Sequence, residues 1–174
     1  MIKNKININN YIFPTIVILA LSLTRLIPHP WNFSPMLAVG VFSGFYFRQF
    51  YASVFIVIFS MFVGDLFLGF HSTMFFTYIA LIIAVLIGIY VKHFKLKEIL
   101  YSGLASSICF FVITNFGAWL TLEMYTKNFS GLIQSYLMAI PFFQNTLIST
   151  FLYLFLLKLV FDLALKKKVL KNFF

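Results

Sequence analysis

Between Tyr51 and Leu68 every side chain except the carboxylate of Asp65 is at home in hydrocarbon, and that run is one of six. About 18 consecutive apolar residues mark a segment long enough to span a bilayer. Read by hydropathy, the apolar segments fall at roughly 11–28, 34–48, 51–69, 73–91, 99–122 and 137–163. The second is short for a full span, which suits a tilted helix or one packed among its neighbours. Only 10% of the 174 residues are charged, where a water-soluble domain carries about a quarter. The expectation is an all-α, polytopic membrane bundle of six transmembrane helices, forming one domain over residues 1–174.

Loop charges predict its orientation. With six spans, Lys3, Lys5, Arg48, Lys92, Lys95, Lys97, Lys166, Lys167, Lys168 and Lys171 fall on one side, and Arg25 and Lys127 on the other. The positive-inside rule then places both termini in the cytoplasm, N-in/C-in. Tyr11, Tyr46, Tyr51, Tyr90 and Tyr101 fall near the inner interface, and Trp31, Trp119, Tyr125 and Tyr136 near the outer one, where amphipathic rings settle. The alternative for the first segment is a signal peptide, with Lys3 and Lys5 leading it and Ala20-Leu21-Ser22 as a weak cleavage site; its apolar stretch is long for that role. The tail KKKVLK at 166–171 reads as a cytoplasmic stop or a contact with anionic lipid. The net charge of +9 does not point to nucleic acid, because the lysines are spread over helix ends and short loops.

The polar residues gather at the outer side. Ser22, Arg25 and His29 share one helical face if the first helix runs to its expected end. The loop HPWN at 29–32 follows, stiffened by Pro28, Pro30 and Pro35 and carrying Asn32. Asp65 lies in the outer part of the third helix with His71 at the turn that follows, Asn115 and Trp119 lie in the outer half of the fifth, and Gln144 and Asn145 in that of the sixth. Polar groups facing lipid are costly, so these should face one another around an outward pocket. Each has a plainer alternative. Arg25 and Asp65 could form a structural ion pair, or Arg25 could present its fork to an anionic ligand with Asp65 orienting it. His71 could cap a helix, Asn115 and Asn145 could bond between helices, and Trp119 could anchor at the interface. On the second helix, Gly40, Ser43 and Gly44 in GVFSG form a small-residue stripe, for packing inside the bundle or for docking another membrane protein.

Catalytic and metal chemistries lack their residues. Intramembrane aspartyl proteolysis needs two carboxylates sharing a proton, and Asp65 has no second mid-membrane aspartate. No serine has a diagnostic context, no HExxH-like spacing joins His29, Asp65 and His71, and the single Cys109 forms no CxxC. No enzymatic activity, metal or cofactor is expected.

The segments PHPWNFSPMLAVGVFSG (28–44), GDLFLGFHSTM (64–74), TNFGAW (114–119) and AIPFFQNTL (139–147) resemble a family of small bacterial inner-membrane proteins of unknown function, across nearly the whole chain. That family is similar in size and helix count to the substrate-binding S components of energy-coupling-factor vitamin transporters. The resemblance implies six helices holding a vitamin-like nutrient near the outer face. It also implies a separate transmembrane coupling subunit and ATPases as partners, together with surrounding lipid. The AxxxA motif that S components carry on their first helix is absent, since Thr24 follows Ala20. The expectation is therefore a capture protein whose pocket, built from Arg25, His29, Asn32, Asp65, His71, Asn115, Trp119, Gln144 and Asn145, binds a small anionic or aromatic ligand. The alternative is an assembly subunit whose polar cluster meets a partner protein.

Overall fold

The computed structural model describes residues 9–167, and Lys3, Lys5, Lys168 and Lys171 lie outside them. Each apolar segment becomes a helix: α1 (Asn9–Leu23), α2 (Met36–Phe47), α3 (Phe50–Leu68), α4 (Met74–Tyr90), α5 (Leu96–Thr121) and α6 (Phe129–Lys166). A single 3-10 turn, Thr24–Leu26, extends α1. Successive helices alternate in direction, so the loops fall into two sets at opposite ends of the bundle.

Three helices, α3, α5 and α6, are long and apolar enough to cross a membrane. α1, α2 and α4 are apolar but shorter. At about 1.5 Å per residue, the 12 residues of α2 reach little more than half of a hydrocarbon core about 30 Å thick. α2 is instead the centre of the bundle. It packs against all five other helices, and each of its residues is buried. An apolar helix with no polar face suits that position.

Around this axis α3 and α5 turn mostly small and polar residues inward and large apolar ones outward. On α3 the buried face is Ser53, Val57, Ser60, Met61, Gly64 and Asp65, while Phe55, Phe59, Phe62 and Leu66 point outward. α5 repeats the pattern, burying Ser102, Gly103, Ser106, Ser107 and Gly117 along with Ile99 and exposing Leu100, Leu104, Ile108, Val112, Phe116 and Leu120. A water-soluble helix has the reverse arrangement. This one suits lipid, where close backbone approach drives packing.

The stripe of Gly40, Ser43 and Gly44 illustrates that packing. A Cβ on Gly44 would overlap the Val85 carbonyl, one on Gly88 would overlap the Val41 carbonyl, and Gly40 faces the Ala84 methyl. Ser43 donates to the Ser53 carbonyl at 3.3 Å, and Ser53 donates back to the Ser43 carbonyl at 3.1 Å. All three stripe residues are spent between α2, α3 and α4. Packing inside the bundle, one of the two readings of the stripe, is what these contacts describe.

Two further departures from the sequence expectation have local causes. α1 gives way to the 3-10 turn and stops before Pro28, because a proline disfavours helical backbone in the residue before it, so His29 sits in a loop and shares no helical face with Arg25. α6 starts eight residues before its expected position, where Asn128 Oδ1 accepts from Gly131 N at 2.9 Å and caps the helix.

The end of the bundle holding Arg48, Lys92, Lys95, Lys97, Lys166 and Lys167 is closed. Arg48, at a left-handed φ of 56°, donates to the carbonyls of Ile89 (2.8 Å) and Lys92 (3.1 Å), fastening α2 to the end of α4. Beneath it Phe42, Phe45, Tyr46, Phe94 and Phe161 pack edge to face or stacked. Lys158 pairs with Asp162 at 2.8 Å on the exposed face of α6.

Candidate functional site

The opposite end opens into a cavity of about 630 Å³. Its floor is an ion pair. The 3-10 turn delivers Arg25, whose Nη2 donates to Asp65 Oδ1 at 2.9 Å and whose Nη1 donates to the Met61 carbonyl at 3.2 Å. The other carboxylate oxygen, Oδ2, accepts from the Tyr78 hydroxyl at 2.8 Å. Asp65 is only 1% exposed, so both its oxygens are engaged and the charge is held away from solvent. Gly64 makes room for this: a Cβ there would come within 2.7 Å of Arg25 Nη1. The sequence Gly64-Asp65 thus supplies a gap and a counter-ion one residue apart.

Above the floor the walls are mixed. Met36, Leu37, Met61, Leu81 and Phe110 give apolar surface, and Ser34, Thr77, Thr114, Asn115 and Thr146 give polar atoms. The rim is made by two loops. One carries His29, Trp31 and Asn32, and the other carries Phe70, His71, Ser72 and Thr73. The first loop is held firmly. Asn32 adopts a left-handed φ of 60°, a conformation asparagine tolerates better than most residues. Phe33 N donates to the Pro30 carbonyl at 3.0 Å, and Asn145 Nδ2 donates to the Trp31 carbonyl at 3.0 Å. His29 Nδ1 lies 3.0 Å from the Pro30 carbonyl, which requires the proton on Nδ1. His71 Nδ1 lies 2.9 Å from Thr73 Oγ1.

Of the nine residues expected to line a pocket, Arg25, His29, Asn32, Asp65, His71 and Asn115 line the cavity. Trp119, Gln144 and Asn145 do not. Trp119 Nε1 donates to the Thr126 carbonyl at 2.9 Å, tying the α5–α6 loop to α5, and its ring lies tilted against Phe116. Asn145 secures the rim loop from behind, and Gln144 is exposed on the outside of α6. Asn115 and Trp119 share a helical face by their spacing, yet Asn115 lines the cavity and Trp119 does not.

Tyr78, Thr77, Thr114 and Thr146 were absent from that expectation. A tyrosine inside an apolar run is a usable signal, since its buried hydroxyl needs a partner. The threonines give little warning because threonine hydroxyls inside helices commonly bond to their own backbone. Among the described residues no three His, Cys, Asp or Glu side chains cluster as metal ligands.

Fold and site together define an all-helical, membrane-type bundle with a polar cavity at one end. The chain belongs to the DUF6580 family, a family of unknown function whose pattern matches residues 4–172. No curated protein and no solved structure matches the chain.

Proposed function

We propose that this protein captures a small molecule from outside a bacterial inner membrane, in the manner of an S component. The observation that carries this reading is the cavity itself. About 630 Å³ falls within the roughly 300–1,000 Å³ of small-ligand sites, where apolar walls hold a few placed polar groups. All six helices lie in the bilayer in this reading, with α2 as the short central one. The lysine-rich end faces the cytoplasm by the positive-inside rule, so the cavity opens outward. The chain binds and does not catalyse. Release toward the cytoplasm falls to a transmembrane coupling subunit and its ATPases, which would dock elsewhere than on the buried α2 stripe.

Thermal unfolding of the purified protein against a panel of small metabolites, beside Ala118→Trp, tests the capture reading. Ala118 lines the cavity, and an indole there would occupy the space. Stabilisation of the wild type alone is expected; no stabilisation, or equal stabilisation of both proteins, contradicts it.

A second reading, an assembly subunit, draws on the rim, where Trp31 is 80% exposed. There a partner's loop would cover the indole. Stoichiometric co-purification of a protein that Trp31→Ala releases, with no metabolite effect, would favour it.

A further inference from the structure

The geometry points to a ligand with two chemically different edges, an acceptor edge for Arg25 and Ser34 and a donor edge for α4, α5 and α6. This rests on the reading of the cavity as a small-molecule site. A hydroxyl has one hydrogen to give and an amide oxygen only accepts, so the bonds already made inside the protein decide what each wall can offer.

The wall formed by α4, α5 and α6 has committed its hydroxyl hydrogens. Thr77 Oγ1 donates to the Thr73 carbonyl at 3.3 Å, Thr114 Oγ1 to the Phe110 carbonyl at 2.7 Å, and Thr146 Oγ1 to the Phe142 carbonyl at 3.2 Å. Asn115 Nδ2 gives one of its two hydrogens to the Phe111 carbonyl at 2.7 Å, leaving the other hydrogen and the acceptor Oδ1. All four residues line the cavity. Three hydroxyl oxygens and one amide oxygen therefore present lone pairs from three helices. A ligand edge carrying N–H or O–H groups satisfies them, whereas an apolar or anionic edge leaves buried acceptors unpaired.

The floor, with the loop before α2, offers hydrogens. Arg25 has five N–H groups, and its protein bonds engage one on Nη1 and one on Nη2. Ser34 Oγ accepts from Met36 N at 3.4 Å, so its own hydrogen is still to be placed. Asp65 pairs with Arg25 and balances its charge, so a carbonyl oxygen as well as a carboxylate meets this floor. A compact ring bearing adjacent N–H groups, with a carboxylate or carbonyl on its far side, has the matching pattern.

The experiment measures binding to the purified full-length protein of a panel of small ring ureides and lactams bearing a carboxylate, each beside its N-methylated counterpart. Binding confined to the N–H members is expected, with about a tenfold loss in Thr114→Val, which removes one acceptor at constant shape. The N-methylated members should bind no better to the wild type than to that variant. Equal binding of both sets would overturn the two-edged ligand while leaving small-molecule capture intact. So would a silent panel when other metabolites stabilise the protein. Silence from this panel and from every metabolite would remove the capture reading as well.

Discussion

Asp65 has both carboxylate oxygens engaged, by Arg25 and by Tyr78, and almost no contact with solvent. A charge so placed depends on its partner. Arg25→Ala or Asp65→Ala should each destabilise by about 3–5 kcal/mol, because either leaves an uncompensated buried ion. The double replacement Arg25→Met with Asp65→Leu should recover most of that, as read by unfolding in mild detergent. Additive losses in the double variant would show that the two groups act separately. Gly64→Ala should behave as a weaker form of Arg25→Ala, since its methyl displaces the guanidinium. The charge pair was legible in the sequence because opposite charges at similar depth in an apolar chain have few alternatives. Tyr78 signals only that its hydroxyl needs a partner, and nothing in its neighbourhood on the chain shows that it reaches across to α3.

At the scale of elements, the crossing of α2 and α4 holds the bundle together. Gly44 and Gly88 each sit against a carbonyl of the opposite helix, so the backbones touch without side chains between them. Gly44→Ala or Gly88→Ala must push the helices apart, at a cost of about 1–3 kcal/mol. Ala105→Gly, on the exposed face of α5, should cost about 1 kcal/mol through helix propensity alone. Thermal unfolding of the three variants separates the two effects, and equal losses would contradict close packing at the crossing. Five helix positions were readable to within a few residues from apolar run length. The start of α6 was not, because its first turns carry Ser130, Gln134 and Ser135 and depend on the Asn128 cap. Asn128→Ala should therefore fray that end by about 1 kcal/mol, visible as faster amide exchange over residues 129–134.

For the whole molecule, one end is closed by aromatic packing and Arg48, and the other is open. Run lengths and loop charges already separated these two ends, because lysines and polar helix positions segregate along the chain. The cavity walls were harder to read. Small and hydroxyl residues line both the packed interfaces and the cavity, and only the three-dimensional arrangement distinguishes them. If the open end faces outward, Ser72→Cys in a Cys109→Ser background should label with a membrane-impermeant maleimide on intact cells, whereas Lys95→Cys should not. The reverse pattern would invert the orientation. The most direct test of a cavity built to hold a small molecule is native mass spectrometry of the protein released from lipid nanodiscs. The account predicts a bound small-molecule mass on the wild type that is missing from Ala118→Trp. A bare polypeptide mass for the wild type, or the same adduct on both proteins, would contradict it.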